Sequence, residues 1–341
     1  MSEQYLIYGA ELSPYSVKIR AYFRYKEIPH KWIIRDQKSN TEYKKFAKLP
    51  IVPLVVTPEK KGLQDSTPII KLLEHEYQNN SVSPPETHTA FVARILEEYA
   101  DEWLNKAMFH YRWRYEDDQM SASERFVELM IPVWANKIPL LNRVLKRKFA
   151  ATVRKRMIAR LWVVGSNKST ETQIEQSLNI FLHLSEQHLQ DRPYFFGFRP
   201  SIADFGIWGQ VYNMWTDPTV GQVIESSHPE TLKWIKRMLH PKLEGEFEPW
   251  ESLEATLMPI LKQELADVFM PWLEANNKAL AKGEKELSVK IKGKDFTHSV
   301  GSPQKYHAKS FAMLLEEYND IPDKTKLDAV LQEAGLINYF K

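Results

Sequence analysis

The chain has 341 residues, 43% hydrophobic and 26% charged, with ten Trp and a formal net charge of +2. That composition supports a sizeable core, excludes global disorder, and argues against a wholly basic nucleic-acid binder. No cysteine occurs, which excludes disulfides, thiolate metal sites, iron–sulfur clusters and any mechanism resting on a protein thiol.

At about 150 residues per domain, the length fits two domains and an extension. Residues 1–12 lack a basic segment and a long apolar one. No stretch reaches about 18 apolar residues. A soluble cytoplasmic protein without a transmembrane segment is therefore expected.

Residues 5–8 (YLIY) read as a buried strand ended by Gly9. Ser13-Pro14 starts a helix, with Ser as N-cap and Pro at the first helical position. Residues 30–34 (HKWII) read as a second strand, which makes a βαβ unit with a parallel pair. A short polar helix or turn follows at 42–48, then a third strand at 54–56 entered through Pro53. Leu63-Gln64 returns as a brief antiparallel strand, and Ser66-Thr67-Pro68 starts an amphipathic helix. The polar, double-proline stretch 78–87 is a linker.

Helical periodicity then dominates, at 90–114, 123–136, 140–161, 171–190, 202–214 and 229–239. Further helices are expected at roughly 251–282 and 303–318. Between them Leu287, Val289 and Ile291 alternate with polar residues, and Phe296, His298 and Val300 follow Gly293-Lys294, a β-hairpin pattern. The fold class read from this is α+β. A mixed unit over 1–80 precedes a linker at 81–87, an all-helical unit over 88–240 and an extension over 241–341.

Three places in the first unit carry chemistry. At Ser13-Pro14-Tyr15-Ser16, helix-start N–H groups and a cap hydroxyl favour an anion. Lowering a bound thiol's pKa by about two units takes about 2.7 kcal/mol. A hydrogen bond to a charged group supplies about 1.5–3 kcal/mol and the helix terminus about 0.3–1 kcal/mol. The plain alternative is an N-cap. Val52-Pro53 is a candidate cis turn that leaves the Val52 backbone free to meet a ligand. The alternatives are a trans Pro opening the strand, or Pro50 as the cis residue. At Gln64-Asp65-Ser66-Thr67, Ser66 and backbone N–H groups suit a carboxylate while Asp65 suits an ammonium; ordinary capping is the alternative.

The order S-P-Y-S, V-P-L-V-V, D-S-T-P-I-I and a Pro-rich linker resembles the glutathione transferase family. Gly197-Phe198-Arg199-Pro200-Ser201-Ile202-Ala203-Asp204 resembles that family's G-x-x-P-S-x-A-D motif, physically a capping box. The matches span about 240 residues. They imply a thioredoxin-like N-terminal domain and an all-α C-terminal domain. They also imply glutathione as co-substrate, with Ser13 as the thiol-activating residue and Val52, Pro53, Asp65 and Ser66 as binding residues. Asp65 stands where Glu is more usual. Tyr8, at the end of the first strand, is the alternative catalytic residue, and Tyr15 is third. S-P-Y-S is also similar to the C-P-Y-C of glutaredoxins, but with Ser at both Cys positions a protein-thiol redox cycle is excluded.

The first helix of the second unit carries Tyr99, Trp103 and His110, which the resemblance puts in an electrophile pocket; core packing is the alternative. The His pattern gives no metal site. Two departures stand out: about 100 extra C-terminal residues, and a basic run at 143–160 with no acid among its charged residues. The run reads as a solvated helix face or a site for an anionic partner, and nucleic acid is not expected. The regular apolar spacing of Trp250, Leu253, Leu257, Leu261, Leu265, Phe269 and Trp272 requires a partner surface. Packing back onto the first two units is preferred over a third domain or a dimer contact. The leading expectation is an enzyme that directs the glutathione thiolate at a small hydrophobic electrophile, with a homodimer as the expected assembly. The alternative is a catalytically silent glutathione-binding or interaction scaffold.

Overall fold

The computed structural model describes residues 4–130 and 139–341. Its first unit runs β1 (Tyr5–Gly9), α1 (Pro14–Tyr25), β2 (His30–Ile34), α2 (Asn40–Phe46), β3 (Leu54–Val56), β4 (Gly62–Gln64) and α3 (Ser66–Glu76). The sheet order is β2-β1-β3-β4, with β1 parallel to β2 and β3 antiparallel to both its neighbours. Side chains alternate across a strand. Ile7 and Val55 join the main core with Val17, Ile69 and Leu73 of α1 and α3. Tyr8, Leu54 and Val56 form a separate small cluster with Tyr43 of α2.

The register explains where a site forms. Tyr8 pairs with Leu54, and Leu54 pairs with Gln64. The chain after β1, the chain before β3 and the chain after β4 therefore emerge at one end of the sheet. Ser13, Val52-Pro53 and Asp65-Ser66, far apart in sequence, share that end.

The helical unit begins with α4 (Thr87–Tyr99), a π-helical segment (Ala100–Leu104) and α5 (Asn105–Arg114), which run on without a break. Then come α6 (Glu116–Met130), α7 (Pro139–Ile158), α8 (Glu171–His188), α9 (Ile202–Trp215), α10 (Pro218–Ser227) and α11 (Pro229–Met238). The helix expected over 123–136 starts earlier than its periodicity indicates, and its last part lies outside the described residues. Most of the basic run is exposed on α7, and Lys146 pairs with Glu128. At the start of α9 the Ser201 hydroxyl accepts the Asp204 N–H, and Asp204 accepts the Ser201 N–H at 2.9 Å, the expected capping box. Gly206 and Gly209 let α9 approach the first unit and α4. A Cβ on Gly209 would stand 2.7 Å from the Pro14 carbonyl oxygen, and one on Gly206 would stand 2.9 Å from Glu97 Cγ.

The extension contains α12 (Trp250–Ile260), a π-helical segment (Leu261–Phe269), α13 (Met270–Lys282), the hairpin β5 (Glu286–Ile291) and β6 (Lys294–Ser299), α14 (Ser302–Asn319) and α15 (Thr325–Glu333). The hairpin turns through Lys292 and Gly293, both at positive φ. The seven apolar residues spaced along 250–272 are all buried in the main core. Helix α12 lies against α8, and α14 and α15 lie against α4. The sequence pattern did not reveal α15.

Candidate functional site

A cavity of about 1010 Å³ opens at the sheet end defined above. Small-molecule sites span roughly 300–1,000 Å³, so this one has room for two ligands side by side. One wall is Val52, Pro53, Gln64, Asp65 and Ser66. The opposite wall is Asp101, Glu102, Asn105 and Lys106 from the helix that continues α4. Val163 and Val164 contribute from a 3-10 turn (Leu161–Val164) after α7, and Tyr306, His307, Lys309 and Ser310 of α14 form a roof.

The Val52–Pro53 peptide is cis. Asp65 occupies the N-cap position of α3, one residue before the expected Ser66, and it makes no capping bond. Its φ of +82° lies where non-glycine residues are strained. Its carboxylate instead accepts the Tyr306 hydroxyl at 2.7 Å. Ser66 opens α3 and is buried, so free helix-start N–H groups face the same end.

Ser13 caps α1, its Oγ accepting the Ser16 N–H at 3.2 Å. The cavity wall touches α1 at Tyr15 and not at Ser13. Tyr15 donates to the Asp101 carbonyl at 2.9 Å, and burial holds its phenol well above the ordinary range. Tyr8 is buried against Tyr43 on the α2 side of the sheet, away from the cavity, because its position in β1 points it to that face.

Three expected pocket residues are corrected. Tyr99, Trp103 and His110 do not line the cavity; they are core. Tyr99 donates to Glu264 at 3.1 Å and packs on Phe181 and Phe269. Trp103 donates to Ser177 at 2.8 Å, and its ring lies beside Trp272 and Phe296. The ring nitrogens of His110 bond Ser166 and Glu175, and burial lowers its pKa. The helix is the expected one, but its polar side meets the cavity.

Buried charges join the two units. Lys18 bonds Asp101 at 2.6 Å and also Glu97. Burial pulls its pKa down, but the two carboxylates outweigh that and it ends above an ordinary lysine. Burial pushes Asp101 up to about 7 against the pull of Lys18. Arg94 pairs with Glu97, Glu98 and Glu317, Ser310 donates to Glu98 at 2.8 Å, and His307 bonds Glu102.

Lys106 differs from these. Burial alone pushes its pKa down to about 7. Its Nζ lies 3.8 Å from the centroid of the Trp272 ring, and among the described residues it makes no ion pair. Sequence reasoning missed Asp101, Glu102, Lys106, Tyr306 and His307. The available signal was charged residues at i, i+4 (102 and 106) inside a helix rich in aromatic residues.

Among the described residues, no group of three or more His, Asp or Glu is placed to hold a metal ion, and no helix is long and apolar enough to cross a membrane.

Residues 7–81 match the family model for the glutathione S-transferase N-terminal domain. No curated protein matches the chain. Among solved structures, a glutathione S-transferase from Methylobacterium radiotolerans in complex with glutathione sulfonate is 16% identical, covering 72% of this chain and 99% of that one at a TM-score of 0.42. A Tau class glutathione S-transferase from mango is 15% identical, covering 76% and 100% at a TM-score of 0.44. A beta-etherase from Sphingobium sp. is 15% identical, covering 74% and 98% at a TM-score of 0.45.

Proposed function

Because the chain carries a glutathione S-transferase N-terminal domain, thioredoxin-like and followed by a helical domain, we propose that it binds glutathione in the cavity and directs the thiolate at an apolar electrophile. One observation carries the reading: the α1 start, the cis Val52–Pro53 turn and Asp65-Ser66 converge on one end of the sheet, beside a cavity large enough for a tripeptide and a second molecule. In this reading the Val52 backbone pairs with the tripeptide's cysteinyl unit. Asp65 takes the γ-glutamyl ammonium, and Ser66 with the α3 N–H groups takes its carboxylate.

Ser13 is the proposed thiolate stabiliser. Its oxygen already accepts one N–H, which leaves its O–H free to donate to sulfur at the α1 terminus. Catalysis then needs only positioning and anion stabilisation. The product is the thioether or the product of thiolate displacement. Enzymatic activity, a cytoplasmic location and a homodimer belong to the same proposal.

The scaffold reading has one supporting observation: Ser13 is absent from the cavity wall. The two are separated by calorimetry with glutathione, followed by a conjugation assay across a panel of electrophiles. Binding with turnover that falls about tenfold in Ser13→Ala, at nearly unchanged glutathione affinity, supports the enzyme. Binding without turnover supports the scaffold, and no binding overturns both.

A further inference from the structure

The second half of the cavity contains a group that the proposed glutathione site does not use. Lys106 lines the wall and is buried, with an exposure of 1% for the residue. The buried cations elsewhere have acid partners: Lys18 has Glu97 and Asp101, Arg94 has Glu97 and Glu98, and Arg112 has Asp217. Among the described residues Lys106 has none, and it rests instead on the Trp272 ring. Trp272 is held in place by its own N–H, which donates to His298 Nδ1 at 3.2 Å, while His298 Nε2 bonds the Val163 carbonyl at 3.1 Å. A ring face attracts an ammonium but does not replace a carboxylate.

We propose that Lys106 anchors an anionic group of the second ligand, which makes that ligand an apolar molecule carrying a carboxylate. The claim that this ligand meets a glutathione thiol rests on the proposed function; the anion site itself does not. The acids on the same wall are engaged elsewhere: Asp101 bonds Lys18, and Glu102 bonds His307, which burial lowers to about 4 so that it meets Glu102 as a neutral donor; among the described residues neither acid bonds Lys106. Of the other cations that line the cavity, Lys48 and Lys309 are exposed, so their charge is solvated and screened, and Arg35 is half-buried and rests on the Tyr43 ring. Val163 and Val164 line the same cavity and supply apolar contact. A carboxylate there completes the ion pair that the fold leaves open and restores the ammonium form that burial disfavours.

The test is calorimetry with phenylpropionate and its neutral analogue phenylpropionamide, on the full chain and on Lys106→Met, without glutathione. The wild-type chain is expected to prefer the carboxylate by about tenfold or more, the scale of a hydrogen bond to a charged group. Lys106→Met is expected to lose that preference while its amide affinity stays unchanged, which also shows that the variant is folded. Lys106→Arg keeps a preference for the carboxylate. A preference that survives Lys106→Met overturns the proposal, and so does a wild-type chain that binds the two probes equally or binds neither. Glutathione calorimetry on the same samples is read separately. Failure there removes the proposed co-substrate and leaves the anion site standing.

Discussion

Replacing Lys106 by Met should stabilise the protein, and by an amount that depends on pH. Burial lowers the Lys106 pKa from 10.5 to about 7. That is about 3.5 pH units, or roughly 5 kcal/mol at about 1.4 kcal/mol per unit. The sign follows from proton counts. Between the folded and unfolded values the unfolded chain holds the extra proton, so stability rises with pH across that window. Below about 7 both states are protonated, and the full penalty of a buried ammonium falls on the folded state. Met fills similar space without the charge. The variant should therefore be more stable than wild type by up to roughly 5 kcal/mol at pH 6. The gap should shrink by about 1.4 kcal/mol per pH unit above 7. His298 across Trp272 and His307 at the ring's edge are lowered to about 3 and about 4, mainly by burial, so both stay neutral across this pH range and contribute alike in both proteins. The assay is chemical denaturation of both proteins from pH 6 to pH 10. A gap that does not change with pH would refute the account of Lys106 as an unpaired buried ammonium. A natural sequence that retains such a penalty in a cavity wall is the pattern expected where function opposes stability.

Other predictions follow from neighbouring contacts. Asp65→Asn should weaken glutathione by about tenfold or more in calorimetry, because a charge-assisted contact to the ammonium becomes neutral; Tyr306→Phe should weaken it far less, since only the carboxylate's protein partner is lost. Gly209→Val should lower stability by about 1–3 kcal/mol, read as a reduced melting temperature, because even a Cβ would stand 2.7 Å from the Pro14 carbonyl. Truncation after Pro241 should give insoluble or strongly destabilised protein in a solubility and thermal-shift comparison; a soluble truncate with an unchanged melting temperature would make the extension an independent module.

Much of the first unit was legible because its signals are local. Ser13-Pro14 sets a helix start with no help from distant residues, and alternation or a short apolar run marks β1, β2 and β3. The capping box at Ser201 and Asp204 is equally local. The cavity's second wall was not legible, for two physical reasons. The first is the π-helical segment Ala100–Leu104, which adds to each turn and rotates the faces of the helix that 3.6-residue spacing assigns. The resemblance placed Tyr99, Trp103 and His110 toward the ligand, whereas Asp101, Glu102, Asn105 and Lys106 are there. The second is distance along the chain. The bond from Tyr306 to Asp65 crosses 241 positions, and no periodicity encodes it.

These long-range contacts also bear on the specificity of the function proposed above. The family match ends at residue 81, so it contains Val52, Pro53, Asp65 and Ser66 and none of the opposite wall. The extension supplies Trp272 beneath Lys106, His298 to hold that ring, Tyr306 on Asp65, His307 on Glu102 and Ser310 on Glu98. It reaches the cavity because the apolar face over 250–272 has no other place to bury itself than the common core. The same packing that hides that face sets α14 across the cavity as its roof. A thiol held at the sheet end would therefore meet partners chosen by residues after 241, and the anionic preference proposed for Lys106 depends on a ring that only the extension provides.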